Sequence, residues 1–375
     1  MCIRDSKKGV DGFRMDVISF LSKDINYPEL PEKYQNDFIT YYAEGPNLHK
    51  FLNEMNTEVL SKYDVMTVGE APGVTIDNAL EFVDENRKEL DMFFHFDLMG
   101  LDRAEGEVFM MRKEKWKLSE FRDIFSRWDQ RFTDKGWGSL YLSNHDFPRS
   151  VSRWGNDSPM HWKNSATLLQ TFLLTMRGTP FFYYGDEIGM TNVRFDKIED
   201  YRDINTLNKY ENIKNDGGDL DAFLENEKEA ARDNARTPMQ WDLTKHAGFT
   251  SGEPWIKVNP NHRTRVSVQA QDKDQFSVLN YFRKMSKIRK ENLALVYGDY
   301  QVLENNNEQI YAYTRKSKKD SFLVLLNFST TQNAFFLNEG MKIEKLLISN
   351  TSVIGSDKDP EIILKPYQAL VYKLK

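Results

Sequence analysis

The chain has 375 residues, with 51 Lys and Arg residues against 57 Asp and Glu residues, so its formal net charge at pH 7 is −6. This balance argues against a nucleic-acid-binding protein, because such proteins neutralise phosphates with a surplus of basic residues. The single cysteine, Cys2, excludes an internal disulfide and a thiolate metal cluster, and the longest apolar runs are far shorter than the roughly 20 residues that span a bilayer. The composition indicates a globular protein with two or three domains, or one barrel with an added module.

Short apolar runs that end in polar residues alternate with helical patterns through the first half of the chain. The runs cover residues 10–18, 65–70, 92–97, 139–146 and 179–187. Near-continuous apolar character is typical of strands buried on both faces, and helices between such strands favour a parallel α/β fold. Amphipathic patterns predict helices over 47–63, 119–131, 163–176 and 277–291.

The pattern changes twice further along the chain. Residues 191–262 are rich in Asp, Asn and Gly and show one short helical pattern at 220–232, which predicts a long functional loop. From about Tyr300, short apolar runs separated by turn residues predict a small antiparallel β domain. These runs cover 309–314, 321–328, 342–348, 362–365 and 369–375.

Carboxylates follow several of the apolar runs at the same topological position. Asp16 lies near the end of the first run, Glu70 ends the second, and Asp146 follows His145 at the end of the fourth. In a parallel barrel the carboxyl ends of the strands face one mouth, where catalytic groups lie. A carboxylate pair is what glycosidic hydrolysis requires, and Arg14, two residues before Asp16, would keep that carboxylate ionised. Taken singly, each carboxylate could instead cap the helix that follows its strand.

Five motifs occur in a fixed order along the chain. They are GFRMDV at 12–17, VGEAPGVT at 68–75, SNHDFPR at 143–149, GDEIGM at 185–190 and ARDNARTPMQW at 231–241. Together they resemble the motifs of glycoside hydrolase family 13, the α-amylase family, and within it the oligo-1,6-glucosidase group. The β domain predicted after residue 300 is similar to the C-terminal domain of that family.

The resemblance implies a role for each of the carboxylates. Asp16 is expected to be the nucleophile that forms a β-glucosyl ester, and Glu70 the general acid that later acts as base. Asp146 is expected to hold the 2- and 3-hydroxyls of the distorted sugar. Such a double displacement retains the anomeric configuration, and it requires Glu70 to be protonated in the free enzyme.

The resemblance also implies substrate-binding residues. Arg14 is expected to orient the nucleophile, His145 to contact the same hydroxyls as the third carboxylate, and Arg232 to line the substrate pocket. Val17 follows the nucleophile, and in relatives of this type Val accompanies α-1,6 preference where Thr accompanies α-1,4 preference. Such a change is worth about 1–3 kcal/mol, so it shifts preference without forbidding the other linkage. The alternatives are a structural histidine at 145 and a surface arginine at 232.

Four other polar residues are predicted to be structural. Arg236 is expected to hold the long loop to the barrel. Asp97 and Asp186 are expected to cap helices at strand ends, and Glu187 to support its loop.

The match to the family begins at its fourth barrel strand. We therefore predict an α/β fold that comprises the C-terminal part of a TIM (β/α)8 barrel, strands four to eight, and a small antiparallel β domain. Residues 1–6 are predicted to be extraneous, 7–298 to form the partial barrel, and 299–375 to form a β-sandwich-like domain. Five strands cannot close a barrel of eight, so the chain is predicted to be a fragment that is inactive alone.

The predicted function is that of a retaining, exo-acting α-glucosidase that cleaves terminal α-1,6 and also α-1,4 bonds of short oligosaccharides. The alternatives are a transglycosylase, a sucrose isomerase, a trehalose-6-phosphate hydrolase or a non-enzymatic member of the family. The lack of an arginine-rich loop at 191–216 argues against an isomerase, and the retained carboxylates argue against a non-enzymatic member. An isomaltose-like substrate is expected, with no cofactor, metal, nucleic acid or membrane partner. A cytoplasmic location is predicted, and the oligomeric state is left open.

Overall fold

The computed structural model describes residues 2–35, 37–104, 110–111, 114–133, 135–303, 306–356 and 359–375. The chain divides into two compact units. The first unit comprises residues 1–108 and 120–140, and the second comprises residues 109–119 and 141–375.

The first unit alternates short strands with helices. Its strands are β1 Gly12–Met15, β2 Met66–Glu70, β3 Met92–Phe94 and β4 Ser139–Leu140. Its α-helices are α1 Cys2–Lys7, α2 Phe38–Tyr42, α3 Leu48–Glu58, α4 Ala79–Val83, α5 Asp97–Gly100 and most of α6 Leu118–Arg131. Single 3-10 turns occur at Ile18–Phe20, Glu32–Tyr34 and Leu60–Lys62.

Strands β1, β2 and β3 pair in that order as a parallel sheet. Because helices lie between these strands in the chain, the arrangement is the parallel α/β architecture that the apolar runs predict. Gly69 in β2 permits close packing, since a Cβ there would lie 2.7 Å from a methyl carbon of Ile18. The chain that leaves β1 can therefore fold closely over the carboxyl end of β2.

The second unit contains a helical part followed by a β-sandwich. Its α-helices are α7 Ser150–Trp154, α8 Trp162–Thr175, α9 Ile204–Asn215, α10 Leu220–Ala230, α11 Val268–Gln271, α12 Val278–Glu291 and α13 Ala294–Tyr297. Its strands are β5 Thr179–Pro180, β6 Asp299–Leu303, β7 Ile310–Lys316, β8 Ser321–Asn327, β9 Asn333–Phe336, β10 Ile343–Ser349, β11 Glu361–Leu364 and β12 Ala369–Leu374. The 3-10 turns are Asp186–Ile188, Ile198–Asp200, Arg232–Asn234 and Pro260–Arg263.

The sandwich consists of an antiparallel sheet in the order β10-β12-β8-β7-β6 and the antiparallel pair β11-β9. Leu325, Tyr372 and Phe335 are among the residues that share its apolar core, so the two layers pack face to face. The antiparallel β domain predicted from the sequence is thus present.

Two buried arginines donate to carbonyl groups near the end of α8, and the second of them joins the helical part of this unit to the sandwich. Arg289 of α12 donates to the carbonyl oxygens of Leu174, Met176 and Leu295 at 2.8–3.0 Å and to that of Gly178 at 2.6 Å. Arg315 of β7 donates to the carbonyl oxygens of Thr175, Leu295 and Gly298. Helix α8 is buried almost all round, so its last carbonyl groups have no access to water and need these partners.

Several sequence-based boundaries are wrong. Residues 2–7 form a helix that the sequence did not predict, and the strand predicted at 10–18 is limited to Gly12–Met15 because the chain turns at Val17. Strands β4 and β5 are two residues long. Helix α9 lies in the segment predicted to be mainly loop, and strands β6 and β9 were not predicted.

The predicted caps are also wrong. Asp97 begins helix α5 but accepts a hydrogen bond from the indole of Trp128 at 2.8 Å instead of capping. Asp186 is buried and accepts from the hydroxyls of Ser143 at 2.6 Å and Ser150 at 3.0 Å. Burial raises the pKa of Asp186 to about 6, although these hydroxyls and the charge of Arg149 oppose that shift. Of the strand-end acids read as structural, Glu187 supports its loop as expected, accepting from the Gly185 N–H at 2.7 Å.

Candidate active site

The first cluster of predicted site residues lies at the carboxyl ends of β1 and β2 in the first unit. Arg14 donates to Asp16 at 2.5 Å and to Oε2 of Glu70 at 2.8 Å. The Asp16 side chain is 76% exposed, whereas that of Glu70 is 8% exposed. The guanidinium of Arg14 thus holds the exposed carboxylate of Asp16 beside the buried carboxylate of Glu70.

The backbone at Val17 contributes to this cluster. Val17 has a φ of 41° and a ψ of 45°, a left-handed conformation that costs a β-branched residue of order 1–3 kcal/mol. In this conformation its N–H points at Oε2 of Glu70, 3.3 Å away. The turn therefore places a fixed backbone donor on the buried carboxylate and directs the chain into the 3-10 turn at Ile18–Phe20.

The surroundings of Glu70 favour its protonated form. Burial raises the pKa of Glu70, and the adjacent charge of Asp16 also raises it. The charge of Arg14 and the Val17 N–H act in the opposite direction without cancelling the effect of burial. Two carboxylates in contrasting environments are suited to different parts of one acid–base reaction.

The second cluster lies in the second unit and is centred on Asp146. Its Oδ1 accepts from Arg236 at 2.7 Å and from Arg232 at 3.2 Å, while its Oδ2 lies 3.2 Å from Nε2 of His145. The Asn144 side chain accepts from the backbone N–H of Asp146 at 2.8 Å. Both carboxylate oxygens are thus oriented by named partners, and the side chain is still 27% exposed.

Asp203 completes the second cluster, and sequence reasoning missed it. It holds Arg232 in a two-point contact, with Oδ2 2.9 Å from Nε and Oδ1 2.7 Å from Nη2. Its carboxylate is 4% exposed and lies 3.8 Å from Arg236. The buried carboxylate of Asp233 accepts the backbone N–H groups of Arg202 and Asp203, which fixes this segment.

The structure thus brings the predicted residues together in two groups. The first unit holds Arg14, Asp16 and Glu70 with the backbone of Val17, and the second holds His145, Asp146 and Arg232. Arg236 was expected to hold the long loop to the barrel, and it does join that loop to residues 145–146, because it donates to the carbonyl oxygen of His145 at 2.7 Å and contacts Asp146; it therefore also belongs to the second cluster. Its position four residues after Arg232 in the same motif was the available signal.

Other classes of site receive no support from the described part of the chain. Within those residues, no group of three or more His, Cys, Asp and Glu side chains is arranged to hold a metal ion. Among the helices that the structure describes, none combines the length and apolar character needed to cross a membrane.

Comparison with protein-family models matches residues 4–298 to the model described as "Alpha amylase, catalytic domain". The chain belongs to the α-amylase family. Residues 300–371 match the model described as "Maltogenic Amylase, C-terminal domain", which covers the β-sandwich of this α-amylase family member. Residues 4–6, which the sequence analysis placed outside the family, lie inside the match, so that boundary is corrected.

Relatives of several kinds resemble this family member along nearly its whole length. An oligo-1,6-glucosidase of Parageobacillus thermoglucosidasius is 46% identical over 98% of this chain and 66% of the relative. A trehalose-6-phosphate hydrolase of Bacillus subtilis is 39% identical over 98% and 65%. A solved structure of an isomaltulose synthase mutant from Erwinia rhapontici, in complex with D-glucose, has a TM-score of 0.95 and 40% identity, covering 99% of this chain and 66% of that one. The chain thus spans about two thirds of the length of these relatives.

Proposed function

We propose that this member of the α-amylase family is a retaining, exo-acting α-glucosidase that hydrolyses terminal α-1,6-glucosidic bonds of short oligosaccharides such as isomaltose. Bonds of the α-1,4 type are secondary substrates. The observation that carries the proposal is the Arg14-bridged pair, in which Asp16 is exposed and Glu70 is buried with a raised pKa. The similarity to several oligo-1,6-glucosidases supports the linkage.

In the first step of the proposed mechanism, a carboxylate oxygen of Asp16 attacks the anomeric carbon. The bond to the leaving oxygen breaks, and Glu70 donates its proton to that oxygen. In the second step Glu70, now ionised, takes a proton from water, the water oxygen attacks the same carbon, and the ester bond to Asp16 breaks. Two inversions give net retention, and both groups return to their starting protonation states.

Arg14 serves both carboxylates in this scheme. Its charge favours the ionised form of Asp16, which the attack requires, and it stabilises Glu70 after that residue has given up its proton. The N–H of Val17 assists in the same way, because it is already directed at Oε2 of Glu70. These fixed dipoles act without reorganisation during the reaction.

The roles proposed for the second cluster are those of sugar binding. Asp146 accepts hydrogen bonds from the 2- and 3-hydroxyls of the glucosyl unit, and His145 contacts the same hydroxyls. Arg232 and Arg236 orient Asp146 and balance its charge, as their contacts with Oδ1 allow. Hydrogen bonds to these hydroxyls that strengthen in the transition state contribute to catalysis in glycosidases.

The finer parts of the sequence-based proposal stay predictions. They are the preference for α-1,6 bonds set by Val17, the cytoplasmic location, and the domain boundary after residue 298.

The test is hydrolysis of p-nitrophenyl α-glucoside, isomaltose and maltose, followed by proton NMR to identify the first anomer released. The assay uses this chain and a second form that is extended at its N-terminus. We expect α-glucose as first product, isomaltose cleaved faster than maltose, and no detectable activity for Asp16→Asn. Asp11→Asn, at an exposed position near β1, is the matched control and should be active.

Product analysis separates the alternatives within the family. Conversion of sucrose to an isomer would favour a sucrose isomerase. Cleavage confined to trehalose 6-phosphate would favour a trehalose-6-phosphate hydrolase. Release of β-glucose, or full activity of Asp16→Asn, would refute the double-displacement mechanism.

A further inference from the structure

Arg149 is a fully buried arginine of the second unit, and the proposed mechanism does not use it. It ends the motif SNHDFPR at 143–149 and lies three residues after Asp146 in the chain. The residue is 0% exposed, whereas arginine is almost never fully buried unless its donors have partners. The partners of its guanidinium therefore show which parts of the chain this side chain holds together.

These partners lie on two other segments of the same unit. Nη1 of Arg149 donates to the carbonyl oxygen of Tyr184 at 2.5 Å, and Nε donates to that of Asn234 at 3.3 Å. Nη2 lies 3.5 Å from Oγ1 of Thr237. The guanidinium carbon is also 4.8 Å from the centre of the Tyr184 ring, a distance at which the face of the ring attracts a cation. One side chain thus connects three segments of the chain.

The segment around Asn234 carries the two arginines that contact Asp146. Arg232 and Arg236 lie two residues to either side of Asn234, and both contact Oδ1 of Asp146. Arg149 therefore holds the chain on both sides of these contacts, through its own backbone near Asp146 and through its bond to Asn234. Such a link matters for a reaction because a misplacement of ~1 Å in a site can cost about 100-fold in rate.

Other buried groups fix the backbone of the SNHDFPR motif. Oδ1 of Asn192 accepts the backbone N–H of Arg149 at 3.0 Å. Asp186 accepts hydrogen bonds from the hydroxyls of Ser143 and Ser150, one at each end of the motif. The motif is thus anchored at both ends, and the side chain of Arg149 joins it to the segment that carries the two arginines.

We propose that Arg149 is a positioning residue that keeps Asp146 aligned with Arg232 and Arg236. This inference rests on the proposed function, which assigns the 2- and 3-hydroxyls of the glucosyl unit to Asp146. It adds that the grip on these hydroxyls depends on a buried side chain that does not touch the sugar. The role requires a guanidinium, because its planar fork reaches acceptors in several directions and stacks on a ring, whereas lysine offers a point charge on a flexible stem.

The test is Arg149→Lys, assayed with p-nitrophenyl α-glucoside and with its 2-deoxy analogue, which lacks one hydroxyl that Asp146 is proposed to bind. The ratio of the two kcat/KM values measures the contribution of that hydroxyl, and a loss of folded protein cancels from the ratio. A hydrogen bond to a charged group contributes about 10- to 100-fold, so we expect the ratio to fall about 10-fold. If Arg149→Lys does not fold, Arg149→Met, which is neutral and unbranched, should show the same fall.

Arg289→Lys is the matched control. Arg289 is also buried and donates to carbonyl oxygens, but its acceptors lie at residues 174–178 and 295, outside the second cluster. This variant should lower the free energy of unfolding and leave the ratio unchanged. An Arg149 variant that loses stability but keeps the ratio would overturn the proposal, because its role would then be structural. An equal fall of the ratio in Arg289→Lys would overturn it as well.

Failure of the proposed function is recognised separately, because the unmodified protein then hydrolyses neither glucoside. A readout without substrate still decides the proposal in that case. The ring of His145 lies 3.2 Å from Oδ2 of Asp146, so the NMR signals of this ring, assigned with His145→Gln, report on the position of Asp146. They should shift in the Arg149 variant, while those of His49, which contacts Glu89 in the first unit, should not. Unchanged His145 signals would overturn the proposal.

Discussion

Replacement of Asp203 by asparagine tests whether this residue positions the second cluster. The carboxylate is almost fully buried and makes two charge-assisted hydrogen bonds to Arg232, at 2.7 and 2.9 Å. Asparagine keeps the shape and one acceptor oxygen, but its amino group faces the guanidinium and the negative charge is lost. Arg232 is then left with Asp146 as its charged partner, and that contact is longer, at 3.2 Å.

The expected magnitude follows from these contacts. A hydrogen bond to a charged group is worth about 1.5–3 kcal/mol, and the Arg232 side chain is 17% exposed, so solvent offsets part of the loss. The retained acceptor offsets another part. We expect the free energy of unfolding to fall by about 2 kcal/mol. We expect kcat/KM for isomaltose to fall at least 10-fold, because Arg232 is no longer held in place by Asp203 and orients Asp146 less firmly.

Denaturant unfolding and steady-state kinetics provide the two measurements. Asp216→Asn, at an exposed position just after α9, is the matched control and should change neither. Asp203→Glu retains the charge but lengthens the side chain, so it should recover stability more than activity. If Asp203→Asn lost less than about 0.5 kcal/mol and kept its activity, the buried ion pair would not organise the site, and our reasoning would be wrong.

Three further predictions concern single residues. Glu70→Gln should abolish isomaltose hydrolysis but spare glucosyl transfer from α-glucosyl fluoride, because the fluoride leaving group needs no proton; loss of activity on both substrates would count against the role of Glu70 as acid. In the unmodified enzyme, kcat/KM should fall as the pH rises through the raised pKa of Glu70. Arg315→Met should lower the unfolding free energy by about 3–5 kcal/mol, because buried carbonyl groups lose their donor, whereas Lys316→Met at an exposed position should change it little. Asp186 is buried and its pKa is raised from 3.8 to about 6, so its contribution to stability is present below pH 3.8 and lost as the pH rises through 6. Asp186→Asn should therefore remove about 3 kcal/mol from the pH dependence of the unfolding free energy. Identical pH profiles of urea unfolding for the variant and the unmodified protein would refute this prediction.

Much of the fold could be predicted from hydrophobic patterning. The runs that became β2 and β3 are apolar because most of the residues of these strands are buried, whereas β1 has no fully buried residue. The helices at Leu48–Glu58 and Val278–Glu291 have clear apolar stripes. Helix α9 was missed because only Thr206 is buried along it, so its pattern is polar almost all round. The turn at Val17, within the apolar run at 10–18, could not be predicted because nothing in the local sequence requires Val17 to adopt a positive φ.

The candidate site could be predicted only where its residues follow apolar runs or lie in recognisable motifs. Asp16, Glu70 and Asp146 were found because they follow apolar runs and belong to recognisable motifs. Asp203 was missed because it follows none of the apolar runs and belongs to none of the five motifs, and only the folded chain shows its carboxylate turned towards Arg232. Ion pairs between residues about 30 positions apart leave no local signal, so their partners cannot be inferred from spacing.

The buried Arg315 bears on how this protein could be divided. The family models change from one domain to the next between residues 298 and 300, yet Arg315 of the β-sandwich supplies donors to carbonyl groups of α8 and of the segment at Leu295–Gly298. A protease cutting at that junction would therefore not release two intact products under native conditions. If this sandwich were fused to another catalytic domain, the fusion protein would fold stably only if the new domain offered Arg315 the same carbonyl acceptors.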